Sequence, residues 1–200
     1  ESVACDIYSN KFDTEVLEFG LLVHPELDWI GASPDGINVD EASERYGRMV
    51  EIKNIYNREI TGIPKQEYWV QTQIQMETCN LDECDFVETR IKEYVDETAF
   101  YEDEEHIYKG VVLSFTDNKS PQSVYRYMPL SVLKDKESVD EWIETTKDIS
   151  KGDELFIFSI SYWYLDCFSC VLIERNRLWF DSALPIIKKT WDIIEKERIT

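Results

Sequence analysis

Three side chains at short spacing could together carry out hydrolytic chemistry. Asp35 lies in the turn signal Pro34-Asp-Gly36, and Glu51 and Lys53 lie in a run of alternating apolar and polar residues. Because successive side chains of a strand point to opposite faces, Glu51 and Lys53 share one face. An acid and a base side by side, with a second acid in a nearby turn, suggest a metal-assisted hydrolytic site.

These residue types suit the hydrolysis of a phosphodiester, in which a water is activated and a leaving alkoxide is stabilised. Mg²⁺ takes octahedral oxygen ligands, which Asp35, Glu51 and the main-chain carbonyl of Ile52 would supply. Lys53 would orient or deprotonate the attacking water and offset developing charge. The alternative for the same residues is a turn aspartate and a surface Glu–Lys pair.

The elements that must position these residues follow from periodicity and turn signals. We expect strands over 29–33, 37–39, 48–54 and 85–92, a hairpin of 107–115 and 124–130 joined through 117–121, and helices over 1–14, 66–79, 139–149 and 183–198. The apolar run 155–174 fits either one long bent strand or two strands broken at Asp166. Together they predict an α/β fold whose mixed sheet is centred on the 29–54 hairpin.

The motif Ser33-Pro-Asp-Gly36 followed by Glu51-Ile-Lys53 resembles the core of the PD-(D/E)XK nuclease superfamily. The likeness is greatest to the branch of phage lambda exonuclease and the YqaJ-type viral recombinases. Three further stretches resemble that branch: the opening Glu1-Ser-Val-Ala-Cys-Asp-Ile-Tyr8, the Gln-x-Gln segment Tyr68-Trp-Val-Gln-Thr-Gln73, and the closing segment Arg175-Asn-Arg-Leu-Trp-Phe180 with Pro185 and Trp191.

The resemblance implies a restriction-endonuclease-like mixed β-sheet core flanked by helices, within one nuclease domain over 1–200. The acidic stretch at about 96–150 has no counterpart in the branch and is expected to be an insertion. The implied activity is that of a Mg²⁺-dependent deoxyribonuclease, with Mn²⁺ as a substitute. It would be an exonuclease, rather than an endonuclease, on duplex ends in viral or phage-type recombination or replication. The implied partners are DNA, a single-strand annealing protein and further copies of the chain.

The same resemblance assigns roles to residues around the core. Gln71 and Gln73 lie about 200° apart around a helix, so they cannot both face one site. By its motif position, Gln71 is expected to hold Lys53 or the attacking water, unless the glutamines are solvated. Glu1 is expected to be an outer-sphere or second metal ligand. Apart from the resemblance, Arg58 and Lys65 lie in a predicted loop close to the site and are expected to contact phosphates, and Ser33 is a further expected substrate contact.

The net charge of −20 opposes nonspecific binding to nucleic acid, which depends on Lys and Arg meeting phosphates. The charge is uneven, because residues 81–105 carry eleven acids against Arg90 and Lys92, whereas 45–65 is closer to balance. We expect the run Glu102-Asp-Glu-Glu105 to be a solvated face. The charge also favours an alternative function, a catalytically silent nucleic-acid-processing partner or an acidic DNA mimic.

Five cysteines and no secretory signal indicate reduced thiols in an intracellular protein, in the host cytoplasm or nucleus if the source is viral. A zinc site of Cys79, Cys84, Cys167 and Cys170 is a weaker alternative. No apolar run reaches transmembrane length, so we expect no membrane partner. Because the chain opens on Glu1 rather than Met, we expect a preceding segment. His24 precedes a proline and is expected to stabilise a turn.

Overall fold

The computed structural model describes residues 1–117 and 120–198, with side chains described outside 120–122. Its helices are α1 (Ser2–Phe12), α2 (Gln66–Cys79), α3 (Glu97–Glu102), α4 (Lys136–Gly152) and α5 (Arg177–Arg198). Its strands are β1 (Val16–Leu17), β2 (Leu22–Val23), β3 (Gly31–Ala32), β4 (Gly36–Asn38), β5 (Met49–Asn54), β6 (Glu83–Glu93), β7 (Lys109–Asp117), β8 (Ser120–Tyr127) and β9 (Leu155–Glu174).

Seven of these strands are hydrogen-bonded in the order β1-β4-β5-β6-β9-β7-β8, which confirms the α/β prediction of a mixed sheet with helices. The position predicted for the 29–54 hairpin is wrong in two respects. First, β3 pairs with β2 in a separate two-stranded sheet. Second, the central strand of the seven-stranded sheet is β6, in the fourth position, and not a strand of the predicted hairpin. Alternation in a sequence shows that a segment is extended but not which strand it pairs with.

The chain forms two compact units, each described by itself. The first unit consists of Glu1–Phe12, Lys53–Ile60 and Glu88–Ser169. The second unit consists of Asp13–Ile52, Thr61–Val87 and Cys170–Thr200. The expectation of a single domain over the whole chain stays a prediction. No helix in the described parts of the chain is both long and apolar enough to cross a membrane.

In the second unit, the antiparallel strands β1, β4 and β5 carry the turn aspartate and the strand acid. Gly36 lies opposite Val50 in the β4–β5 ladder. A Cβ atom at Gly36 would lie 2.2 Å from Val16 Cγ1, so this close approach requires glycine. The underlying core is formed by buried residues of β5, α2, β6 and β9: Met49, Met76, Cys84, Phe86 and Ile173.

Helix α2 has the bounds predicted from the sequence, whereas α5 begins six residues before the predicted Ala183. Helix α2 ends at Cys79 and is capped by Asn80, whose φ of 54° places it in the left-handed conformation that asparagine tolerates. Helix α5 begins early because the Asn176 side chain accepts a hydrogen bond from Trp179 N at 3.0 Å, as N-terminal capping residues do.

In the first unit, β7 pairs antiparallel with both β8 and β9, which confirms the predicted hairpin. Part of its predicted connection, residues 118–119, lies outside the described residues. The run 155–174 is one continuous strand of 20 residues and does not break at Asp166. Helix α4 is longer than predicted and begins after Asp135, whose carboxylate accepts from Ser138 N at 2.9 Å.

The acidic segment is only partly the solvated face that its charges suggest. Asp96 accepts from Ala99 N at 2.9 Å and begins α3, whose Phe100 is fully buried. Phe100 belongs to the core of the first unit, with Met128 directly after β8 and with residues of β7, α4 and β9: Val111, Leu113, Phe115, Val139, Ile143 and Leu155. Within the run predicted to be a solvated face, Glu102, Glu104 and Glu105 are exposed and Asp103 is half-buried, whereas Phe100 just before the run anchors the segment.

We expect Phe100→Ala to lower the free energy of unfolding by about 3–5 kcal/mol, because truncating a buried phenylalanine leaves a cavity. Urea denaturation followed by fluorescence measures the loss. Glu104→Ala is the matched control, since Glu104 is exposed in the same segment and should change stability by no more than about 0.5 kcal/mol. Equal stability of the two variants would contradict the anchoring role.

Candidate active site

The carboxylate of Glu51 is the buried charge around which the candidate site is arranged. Glu51 lies in β5 and is 1% exposed. Its Oε1 accepts a hydrogen bond from Gln71 Nε2 at 2.6 Å, and its Oε2 accepts one from Gln75 Nε2 at 2.8 Å. Because a buried carboxylate without donors is costly, the two amides stabilise Glu51 inside the second unit.

The glutamines of helix α2 lie on two different faces of the helix. Gln71 and Gln75 are one turn apart and both reach Glu51. Gln73 instead donates to Glu174 O at 3.0 Å and accepts from Asn176 N at 2.6 Å, so it holds the chain that enters α5. Sequence reasoning did not place Gln75 in the site. Its spacing of four residues from Gln71 was the available signal.

Asp35 lies directly beside the strand that carries Glu51. Its Oδ2 accepts a hydrogen bond from Ile52 N at 2.6 Å, which is the amide of the Glu51–Ile52 peptide. In the ladder, Gly36 pairs with Val50, so continuing the register by one residue places Asp35 opposite Glu51. The turn aspartate and the strand acid therefore approach the same stretch of β5.

The atoms of this region suit a hard divalent cation. Asp35 and Glu51 supply carboxylate oxygens, and Ile52 follows with its main-chain carbonyl. Gln75 Oε1 is buried beside Glu51 and, among the described residues, has no hydrogen-bond partner. A bound cation or its water shell would satisfy such an oxygen. The described residues contain no group of three or more His, Cys, Asp or Glu side chains arranged to hold a metal.

The thiol of Cys84, which interacts with the Glu51 carboxylate, is unreactive. Burial raises the pKa of Cys84 well above its ordinary value, and the nearby carboxylates of Glu51 and Asp85 raise it further. The thiol therefore remains neutral and is a poor metal ligand, because thiolates are the ligating form. None of the five cysteines, all of which lie in the described residues, forms a disulfide. The alternative of a thiolate zinc site thus has no cluster in the described parts of the chain.

The other predicted site residues lie in both units. Lys53 is half-buried in the first unit, at the fifth position of β5. Glu1 is exposed in the same unit, and it lines a cavity of about 260 Å³ with Asn54. In the second unit, Ser33 is exposed, and Lys65 lies 3.6 Å from Glu67 Oε1 before α2. The catalytic, metal-binding and substrate-binding roles of these residues stay predictions.

Arg58, an expected phosphate contact, forms an ion pair inside the first unit. Its guanidinium binds the Glu88 carboxylate, which is 2% exposed. In the second unit, Arg45 and Arg48 likewise bind Asp85, which is also 2% exposed. The three arginines of 45–65 therefore each pair with a buried acid of β6. The expected phosphate contact of Arg58 stays a prediction.

His24 has the structural role expected of it. Its Nδ1 accepts hydrogen bonds from Glu26 N and Leu27 N, both at 3.1 Å. Its ring also stacks on Phe180, with the ring centroids 6.3 Å apart. Through these contacts the imidazole of His24 stabilises the turn.

The α/β fold, the turn aspartate and a strand that carries Glu51 and Lys53 resemble the core of the PD-(D/E)XK nucleases. Residues 1–82 match the model of the YqaJ-like viral recombinase domain, which confirms the resemblance predicted from the motifs.

Comparison with a curated protein adds a viral relative. Over 97% of its length the chain is 29% identical to an uncharacterized protein of Acanthamoeba polyphaga mimivirus. The chain spans 42% of the length of that relative.

Two solved structures of an alkaline exonuclease, LHK-Exo from Laribacter hongkongensis, also show similarity. The first is 24% identical with a TM-score of 0.38, covering 75% of this chain and 62% of that chain. The complex of LHK-Exo with dAMP is 25% identical with a TM-score of 0.37, covering 74% and 69% respectively.

We expect Gln75→Ala to destabilise the protein by about 1–3 kcal/mol, because it leaves one oxygen of the buried Glu51 carboxylate without its donor. Gln66→Ala is the matched control, since Gln66 is exposed in the first turn of the same helix. Thermal and urea unfolding of both variants make the comparison. A Gln75→Ala protein as stable as Gln66→Ala would show that this hydrogen bond is not needed to bury Glu51.

Proposed function

We propose that this protein is a metal-dependent DNA nuclease, an exonuclease that acts on duplex ends in viral recombination or replication. The observation that carries the proposal is the burial of the Glu51 carboxylate beneath two glutamine amides, next to the peptide that Asp35 contacts. A solvated strand acid would need neither amide. The match to the YqaJ-like viral recombinase domain supports the proposal, since residues 1–82 contain every proposed catalytic residue.

The chain's own residues have distinct tasks in this reaction. Asp35, Glu51 and the Ile52 carbonyl would hold the cation, Mg²⁺ or Mn²⁺, which when bound activates water and neutralises phosphate charge. Gln71 keeps the Glu51 carboxylate in one orientation. Lys53 follows Glu51 by two residues in β5 and therefore projects from the same strand face. Its ammonium would orient the attacking water and offset charge that develops on the phosphate.

The net charge of −20 favours a second function, that of an acidic protein that imitates DNA. Such a mimic works through exposed carboxylates, and it gains nothing from an acid that is 1% exposed. The buried Glu51 therefore favours the nuclease. The predicted annealing protein and self-association stay predictions.

The activity is tested on matched linear and circular duplexes, each labelled on one strand, with Mg²⁺, with Mn²⁺ and with EDTA. An exonuclease degrades the linear duplex from an end, spares the closed circle and stops in EDTA. Labels at the 5′ and 3′ ends give the polarity. Cutting of the closed circle would make the protein an endonuclease, and absence of metal-dependent cutting of either substrate would contradict the proposal.

We expect Lys53→Ala to lower single-turnover cleavage by about 10²–10⁴-fold, the usual effect of losing one proton-transfer or electrostatic group. Binding of duplex DNA should weaken only modestly, because at most one phosphate contact is lost. Cleavage is measured by rapid quench and binding by anisotropy in EDTA. A variant that cleaves within about threefold of the wild-type rate would show that Lys53 lies outside the chemistry.

Asp35→Asn provides the matched comparison for Lys53→Ala. An asparagine keeps an oxygen that can accept the hydrogen bond from Ile52 N, but it removes the charge that a cation needs. We expect this variant to remain folded, to lose cleavage and to lose Mn²⁺ binding in calorimetry, whereas Lys53→Ala retains Mn²⁺ binding. Unchanged Mn²⁺ affinity in Asp35→Asn would remove Asp35 from the metal site.

A further inference from the structure

The first unit contains a cavity of about 750 Å³ that the proposed catalytic residues do not line. Its lining residues are Tyr56 and the end of β6: Arg90, Ile91, Lys92 and Glu93. The volume lies within the range of about 300–1,000 Å³ that is typical of small-molecule sites. Tyr56 follows the predicted catalytic Lys53 by three residues, so the cavity begins where β5 ends.

The two cations of this cavity are the only basic residues in the acidic stretch 81–105. Arg90 and Lys92 are two residues apart in β6, so their side chains lie on the same face of the strand. Both bind the carboxylate of Asp166, with Lys92 Nζ at 2.8 Å from Oδ1. Arg90 also donates to Arg58 O at 3.4 Å. Two cations thus share one carboxylate and are held in defined positions.

The acid that also lines the cavity lies on the other face of the strand. Glu93 directly follows Lys92 in β6, so its side chain points to the opposite face of the strand. Together with Ile91, Glu93 lines the separate cavity of about 260 Å³. The hydrogen bonds from Lys92 and Arg90 keep the pKa of Asp166 below its usual value, so this carboxylate stays ionised and the two cations stay in place. This face therefore holds two cations, Arg90 and Lys92, against the single carboxylate of Asp166.

Tyr56 adds an aromatic surface to these cations. Its side chain is 92% exposed, although aromatic residues usually bury most of their area. An exposed ring beside an arginine and a lysine is the combination on which unpaired bases stack while their phosphates meet cations. Paired bases are already stacked within a duplex, so the ring selects a nucleotide that has left the helix.

We propose that Tyr56, Arg90 and Lys92 form a subsite for one unpaired nucleotide of single-stranded DNA. Tyr56 stacks on the base, and Arg90 and Lys92 contact the adjoining phosphates. The identity of the nucleic acid as DNA rests on the proposed nuclease function. The subsite would hold a strand end that has separated from its complement, next to the end of the strand that carries Lys53.

The test is fluorescence anisotropy of a labelled oligodeoxythymidine with the whole chain in EDTA, where no cleavage interferes. Tyr56→Ala should weaken binding by about 5- to 100-fold, the range that base stacking on an aromatic ring contributes, whereas Tyr56→Phe should bind within about twofold of wild type. Tyr46→Ala is the control, since Tyr46 is 57% exposed in the second unit. Unchanged binding by Tyr56→Ala, or equal losses in Tyr46→Ala, would overturn the subsite.

The cations are tested by the salt dependence of the same binding. Lys92→Ala should reduce the slope of log K against log salt by about 0.7, the value for one contact to a single strand. Lys136→Ala is the control, because Lys136 is exposed and pairs with Glu97 at 2.6 Å elsewhere in the first unit. A slope that Lys92→Ala leaves unchanged, or that Lys136→Ala lowers equally, would contradict a phosphate contact.

An abasic oligonucleotide of the same length identifies what Tyr56 contacts. Without bases, wild type and Tyr56→Ala should bind equally, and a difference that persists would overturn the stacking role. These outcomes are separate from cleavage. A wild-type protein that binds through Tyr56 but never cuts DNA would contradict the nuclease and leave the subsite in place. A protein that cuts DNA while Tyr56→Ala and Lys92→Ala bind like wild type would contradict the subsite alone.

Discussion

The burial of Glu51 is the constraint on which the second unit depends. A carboxylate that is 1% exposed is unfavourable in a protein interior unless donors reach its oxygens, and here one amide reaches each of them. Both amides come from α2, so that helix must lie with its Gln71–Gln75 face toward β5. Gln73, on the other face, is then available to hold the chain before α5. One buried charge thus determines how a helix is oriented about its axis.

The same constraint recurs along β6, where it decides what the arginines can do. Asp85 and Glu88 are each 2% exposed, and each is paired with arginine, Asp85 with Arg45 and Arg48 and Glu88 with Arg58. Removing one partner of a buried pair is costly because it leaves a charge uncompensated. Cations that serve this purpose contribute little to attracting a polyanion. With a net charge of −20, the proposed contact with DNA therefore requires that the remaining positive charge be concentrated locally.

The acidic stretch shows why composition alone misjudges a segment. Its charges indicate solvent exposure, and several of its carboxylates are exposed. Phe100 is nevertheless buried with β7 and α4, and Tyr94 and Tyr101 of the same stretch pack against this core of the first unit. In the same stretch, Arg90 and Lys92 lie on one strand face while Glu93 lies on the other. The average charge of these 25 residues cannot show that the cations and the acid lie on opposite faces of the strand. That arrangement depends on strand alternation and on the ion pairs with Asp166, which is distant in sequence.

The sequence by itself determined the local features of this protein. The 3.6-residue period placed α2 at its observed bounds, the strand alternation placed Glu51 and Lys53 on one face, and the motif residues indicated the resemblance to the YqaJ-type branch. Such features depend on neighbours within a few residues. Only the tertiary structure decided that β3 leaves the main sheet, that Gln75 joins Gln71 at Glu51, and that Arg58 neutralises a buried acid. Those outcomes depend on contacts between residues 8 to 30 positions apart. Burial and charge compensation across the fold select these pairings, rather than local pattern.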